Sequence, residues 1–247
     1  MAAAEASVAS PARAGRSLAQ PMLVLAMYGL AALAWWSSAS ASMPSGLAGF
    51  LAGWLVMMAA MMLPTLVPVL TLYRRAARRG TVAPVPVFLA GYLLVWTAAG
   101  LPAYAAWRQF QPAMMAGRTW PALAAGAVLV VAAAYQLSPL KAACLRGCRT
   151  PLTAFTAIRG SLSNPLTAGR VGARNGLWCL GCCWALMSIL VAVGVMQPWW
   201  MAGIAALIFA EKALPFGPRL SAPIAGMLAA AGVALLVHPA LLMTYTT

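Results

Sequence analysis

Three thiols fall within five residues of an otherwise apolar run, at Cys179, Cys182 and Cys183 in the stretch WCLGCCWALM. On a helix their i, i+3, i+4 spacing puts all three within about 100° of arc, and Met187 extends the same stripe. Such a face has three chemistries open to it: apolar packing, thiol–disulfide exchange through the C-x-x-C pair Cys179/Cys182, or coordination of a soft metal ion. Two further thiols, Cys144 and Cys148, stand in LKAACLRGCRTP and share a face with Lys141 if helix continues past Pro139. Either packing or reversible palmitoylation is the plain reading of that pair. Met57, Met58, Met61 and Met62 in LVMMAAMMLP form two i, i+4 pairs, a soft stripe that also suits filling gaps between helices.

Glu211 and Lys212 complete the set. Glu211 is the only acid in the apolar body, where a carboxylate costs about 2.5–3.5 kcal/mol to insert, so it needs a partner or a proton. Lys212 points about 100° away from it on a helix, which leaves Lys141 as the better candidate. Sulfur ligands select Cu(I) and, less exclusively, zinc. Zinc favours four donors and often takes His, but the sole histidine, His238, belongs at the far end of the last apolar run. Cu(I), satisfied by two or three sulfurs, is therefore preferred, with zinc second. The expected ligands are Cys144, Cys148, Cys179, Cys182, Cys183, Met57, Met58, Met61, Met62 and Met187, with Glu211, Lys141 and Lys212 as supporting charges.

The elements that must position these residues are membrane helices. The 247-residue chain is 64% hydrophobic and 7% charged, too little charge for a water-facing surface of this size. Apolar runs of about 20 residues occur at Pro21–Ala41, Gly46–Leu70, Val85–Tyr104, Trp120–Leu140, Gly176–Met196, Trp199–Pro215 and Pro223–Leu242. The expected fold is all-α: a polytopic bundle of about seven spans over residues 21–247, preceded by a disordered basic tail at 1–20. Pro64 and Pro68 should kink the second span.

Net charge is +14, from 16 Lys and Arg against two acids. If the N-terminus is cytoplasmic, fourteen of those sixteen fall in cytoplasmic segments and two, Arg108 and Arg118, outside. That imbalance predicts an N-terminus on the cytoplasmic side and a C-terminus outside. It also makes nucleic acid a poor partner, because the basic residues mark loops rather than one face. SSASASM after the first run could be a signal-peptidase site, but the run is long enough to be kept as a span. On this topology the thiols of span five lie in its first two turns, at the depth of Cys144 and Cys148, and Gly181 lets another backbone approach.

Four motifs in order, WLVMMAAMMLP (54–64), LKAACLRGCRTP (140–151), CLGCCWALM (179–187) and AEK (210–212), resemble the bacterial predicted metal-binding integral membrane proteins. That family is catalogued as a domain of unknown function, and its members are often labelled copper-chaperone-like. The resemblance implies copper delivery, storage or metalloenzyme assembly, with a soluble companion protein or a copper-dependent membrane enzyme as partner besides the bilayer.

Two other functions stay open on the residues alone. One is a transmembrane thiol–disulfide oxidoreductase using Cys179 and Cys182; the other is a proton-coupled transporter using Glu211. A phosphate loop, a Ser/His/Asp set and paired carboxylates are all missing from the body, so an enzyme is not expected.

Overall fold

In hydrocarbon every backbone N–H and C=O must be satisfied within its own segment, so long apolar runs become helices. The computed structural model describes residues 19–40, 46–77, 84–150, 164–193 and 198–240, and these form helices without a strand. In chain order they are α1 (Ala19–Ser40), α2 (Leu47–Ala77), α3 (Val85–Met115), α4 (Trp120–Gln136), α5 (Pro139–Arg149), α6 (Pro165–Val193), α7 (Pro198–Ala213), a 3-10 turn (Gly217–Leu220) and α8 (Ser221–Val237). The expected basic tail lies outside the described residues, apart from Ala19 and Gln20 at the start of α1, as do the last three residues of SSASASM, 41–43.

Among the described residues five helices are long and apolar enough to cross a membrane, and the bent pair α4–α5 would make a sixth. The 16-residue α7 is shorter than those five. Large apolar side chains such as Leu25, Trp36, Leu94 and Leu177 face outward, an arrangement suited to lipid rather than water.

Several boundaries differ from expectation for one reason. Hydropathy finds the apolar middle of a helix and misses polar turns added at its ends. The helix holding the three thiols begins at Pro165, not Gly176, because LTAGRVGARN is helical despite Arg170 and Arg174. Cys179, Cys182 and Cys183 consequently sit mid-helix rather than in the first two turns. Both α2 and α3 overrun their apolar runs, to Ala77 and Met115, and α2 remains one helix through Pro64 and Pro68. Conversely, the fourth run does not continue past Pro139. It breaks at Leu137–Ser138 and turns by 68° into α5, with Ser138 Oγ accepting from Lys141 N at 3.1 Å as the N-cap.

The most extensive packing joins α3 to α6, followed by α4 to α8 and α1 to α2. Small residues permit the first of these. A Cβ on Gly172 would strike the Phe88 carbonyl, and one on Gly91 would strike the Gly169 carbonyl. Since α6 carries the thiols and α3 carries Tyr92, this seam sets the depth at which the two meet. Gly172→Ala should lower the thermal unfolding midpoint in detergent, by the equivalent of about 1–3 kcal/mol. Gly29→Ala, with nothing within 4 Å of the added carbon, should leave it unchanged or slightly raised.

Candidate metal centre

The break between α4 and α5 puts Gln136 and Lys141 on one buried point. Lys141 Nζ lies 2.8 and 2.7 Å from the two carboxylate oxygens of Glu211, and both side chains are almost fully buried, at 1% and 2% exposure. Gln136 bridges the pair: its Oε1 accepts from Lys141 Nζ, and its Nε2 donates to Glu211 Oε1 at 3.4 Å. Ser221 Oγ, at the start of α8, donates to the same oxygen at 3.1 Å. A buried ion pair survives only if its remaining lone pairs are satisfied, and here they are.

Arg149, at the end of α5, fixes the same region from the other side. Its Nη1 donates to the carbonyls of Glu211, Lys212 and Leu214 at 2.8, 3.1 and 2.7 Å. These are carbonyls at the C-terminus of α7, where a cation is favoured by the helix dipole. With Glu211 held toward α5, the next residue, about 100° around the helix, faces elsewhere. Lys212 Nζ reaches the sulfurs instead: 3.0 Å from Cys179 Sγ and 3.6 Å from Met62 Sδ.

The sulfurs come from three helices. Cys179 Sγ lies 3.7 Å from Met62 Sδ and 3.0 Å from the Tyr92 hydroxyl. Cys148 Sγ lies 3.6 Å from Cys182 Sγ, without a disulfide. The thiols of Cys182 and Cys183 donate to the Cys179 carbonyl at 3.1 and 2.8 Å, which orients both within their own helix. Side-chain interactions also link Cys179 to Cys148, Cys182 and Cys183.

The remaining expected ligands are placed differently. Cys144 does not join Cys148. It sits over Gly181, where a Cβ would come within 2.6 Å of its sulfur, and lines a second, apolar cavity of about 640 Å³ with Met187, Tyr135 and Trp184. The absent Cβ of Gly181 thus admits a side chain, not the backbone expected. Tyr135 donates to the Gly181 carbonyl at 2.5 Å on the same side. Met57, Met58 and Met61 are buried in the core, and Met62 is the methionine whose sulfur meets a thiol. His238 is exposed at the C-cap of α8.

Among the described residues no group of three or more His, Cys, Asp or Glu side chains is arranged to hold a metal ion. The close sulfur contacts are two pairs, Cys148–Cys182 at 3.6 Å and Cys179–Met62 at 3.7 Å. Four-donor zinc chemistry fits this poorly. Soft Cu(I) fits it better, and two thiolates with one Cu(I) would carry a net charge of −1 that the part-buried Lys212 ammonium would offset.

Residues 51–235 match the model of the family described as PpoB2, copper chaperone. The chain belongs to that family. The matched stretch runs from α2 into α8 and includes all five cysteines, Met62, the Lys141–Glu211 pair and Lys212. No curated protein and no solved structure matches. For this copper-chaperone family member, four residues that touch the site were not singled out from the sequence: Tyr92, Gln136, Ser221 and Arg149, the last counted only as a loop charge. Three of them are common polar residues in apolar runs, and their roles depend on which helix faces them.

Lys141→Met alone strands the Glu211 carboxylate and should destabilise the folded state by about 3–5 kcal/mol, read as a lower unfolding midpoint in detergent. Lys141→Met combined with Glu211→Gln removes both charges and should recover most of that loss.

Proposed function

We propose that the protein binds Cu(I) through the thiols of Cys148 and Cys182, with Cys179 and Met62 beside them, and passes it on within a bacterial inner membrane. The observation that carries this reading is the 3.6 Å approach of two free thiols from α5 and α6, with the part-buried Lys212 ammonium 3.0 Å from the neighbouring Cys179 sulfur. Membership of a copper-chaperone family supports the metal, and the donor set supports its monovalent state. The role is delivery, storage or metalloenzyme assembly, with a soluble companion or a copper-dependent membrane enzyme as the recipient. No catalytic step is assigned. The excess of basic residues in alternate loops supports an N-terminus on the cytoplasmic side.

The same close thiols favour one other reading, a thiol–disulfide oxidoreductase. It would use Cys148 and Cys182 rather than the Cys179/Cys182 pair read from the sequence, since a disulfide needs sulfurs at about 2.05 Å and these need shift only modestly. Glu211 is engaged by Lys141, Gln136 and Ser221, which gives the carboxylate a structural task.

Competition against a chromophoric Cu(I) chelator, performed anaerobically on detergent-purified protein, separates these. Cys148→Ser and Cys182→Ser should each weaken Cu(I) binding by more than about tenfold, about 1.4 kcal/mol. Cys144→Ser should change it less than about twofold. Lys212→Met should weaken it by about tenfold through loss of the balancing charge. Equal retention of copper by wild type and Cys148→Ser/Cys182→Ser would refute the assignment, and a stable Cys148–Cys182 disulfide that exchanges with an added dithiol would favour the redox reading.

A further inference from the structure

A cavity of about 440 Å³ adjoins the thiols, and Thr65, Cys148, Arg149, Asn175, Cys179 and Lys212 are among the residues that line it. Its charge is unusual for a compartment that receives a cation. Arg149 and Lys212 both line it, and among the described residues no acid does. The chain has only two acids, Glu5 and Glu211, and the Glu211 carboxylate is already held by Lys141. The α7 carbonyls that Arg149 caps offset part of its charge, about half an elementary charge for a helix end, so the cavity keeps an excess of positive charge. Asn175 is 3% exposed, and its Oδ1 is buried without a hydrogen-bond partner, leaving an acceptor for an incoming donor group.

A free cation would be repelled from such a cavity, whereas an anion would be concentrated there. Resting on the Cu(I) reading above, we infer that this cavity is the receiving site for copper carried as an anionic complex of a low-molecular-weight thiolate, rather than for the free ion. The transfer is a ligand exchange with no change of oxidation state. A bis-thiolate complex, Cu(SR)2 with one negative charge, meets the thiol of Cys148 at the cavity wall, and the thiol of Cys182, 3.6 Å from it, completes the exchange. Two new Cu–S bonds form to those sulfurs and two Cu–S bonds to the carrier break. The two protons of the protein thiols leave on the two carrier thiolates as RSH. The charge is −1 before and after, so Lys212 balances the same charge throughout. The volume suits a small thiol and excludes a folded carrier protein from the cavity itself.

Two carriers with the same Cu–S bonds and opposite outer charge test this. Detergent-purified apo protein in a non-ionic detergent is mixed anaerobically with Cu(I) as its 2-mercaptoethanesulfonate complex or as its cysteamine complex, and the loading rate and final copper content are read. The sulfonate carrier should load wild type at least about tenfold faster. Because the whole chain carries +14, a local effect must be separated from a global one. Asn175→Asp, which places an acid in the cavity, should cut the sulfonate-to-cysteamine rate ratio by about tenfold; Gln111→Glu, the same charge change at an exposed position of α3, should change it less than about twofold. Equal rates from the two carriers, or equal shifts from the two variants, would overturn the inference while final loading at one copper per chain leaves the Cu(I) reading intact. No copper bound from either carrier would overturn both.

Discussion

The Lys141–Glu211 ion pair decides how the rest of the site can be arranged. Two opposite charges buried at 2.7 Å, with Gln136 and Ser221 filling the remaining hydrogen bonds, cannot be displaced without leaving an unpaired charge away from water. The pair ties α5 to α7, Gln136 draws in the end of α4, and Ser221 draws in the start of α8. Arg149 then holds the α7 terminus through three carbonyls. With α5 and α7 fixed against each other, Cys148 is turned toward α6 and Lys212 toward Cys179. The pair acts by placing Cys148 and Lys212 beside the other sulfurs.

The sulfur arrangement that results is soft, compact and positively flanked. Met62, Cys148, Cys179 and Cys182 come from three helices, and Lys212 comes from a fourth. Close packing of small residues between α3 and α6 brings Tyr92 to the same sulfur that the lysine approaches. Two thiolates are enough for Cu(I), without the four donors zinc favours. The arrangement relies on shared contacts at several helix faces, so a change on any one of them reaches the sulfurs.

Much of this was legible in the residues. The apolar runs marked the membrane helices, and the spacing of Cys179, Cys182 and Cys183 correctly assigned them to one face. The lone acid pointed to Lys141 as its partner because an isolated carboxylate in hydrocarbon demands one. What periodicity could not supply is the identity of the neighbour across each face. Cys144 and Cys148 are four residues apart on α5, and they face different surroundings because the 68° turn at Ser138 sets α5 across α6 rather than in line with α4. A proline at 139 signals a boundary but not its angle. Likewise Pro165 opens a helix whose first turns are polar, so hydropathy began that span eleven residues late and put the thiols near its end instead of its middle. Tyr92 and Asn175 carried no signal of their own, since each gains its meaning only from the sulfur or the cavity beside it.

The central claim is that Cu(I) is held by sulfur from α5 and α6. Copper K-edge X-ray absorption on the anaerobically loaded protein tests it most directly. The account predicts a Cu(I) edge and a first shell of two or three sulfur atoms, lost on replacing Cys148 and Cys182 with serine. A first shell of nitrogen and oxygen, as adventitious binding at exposed His238 would give, or a sulfur shell that survives that replacement, would contradict it.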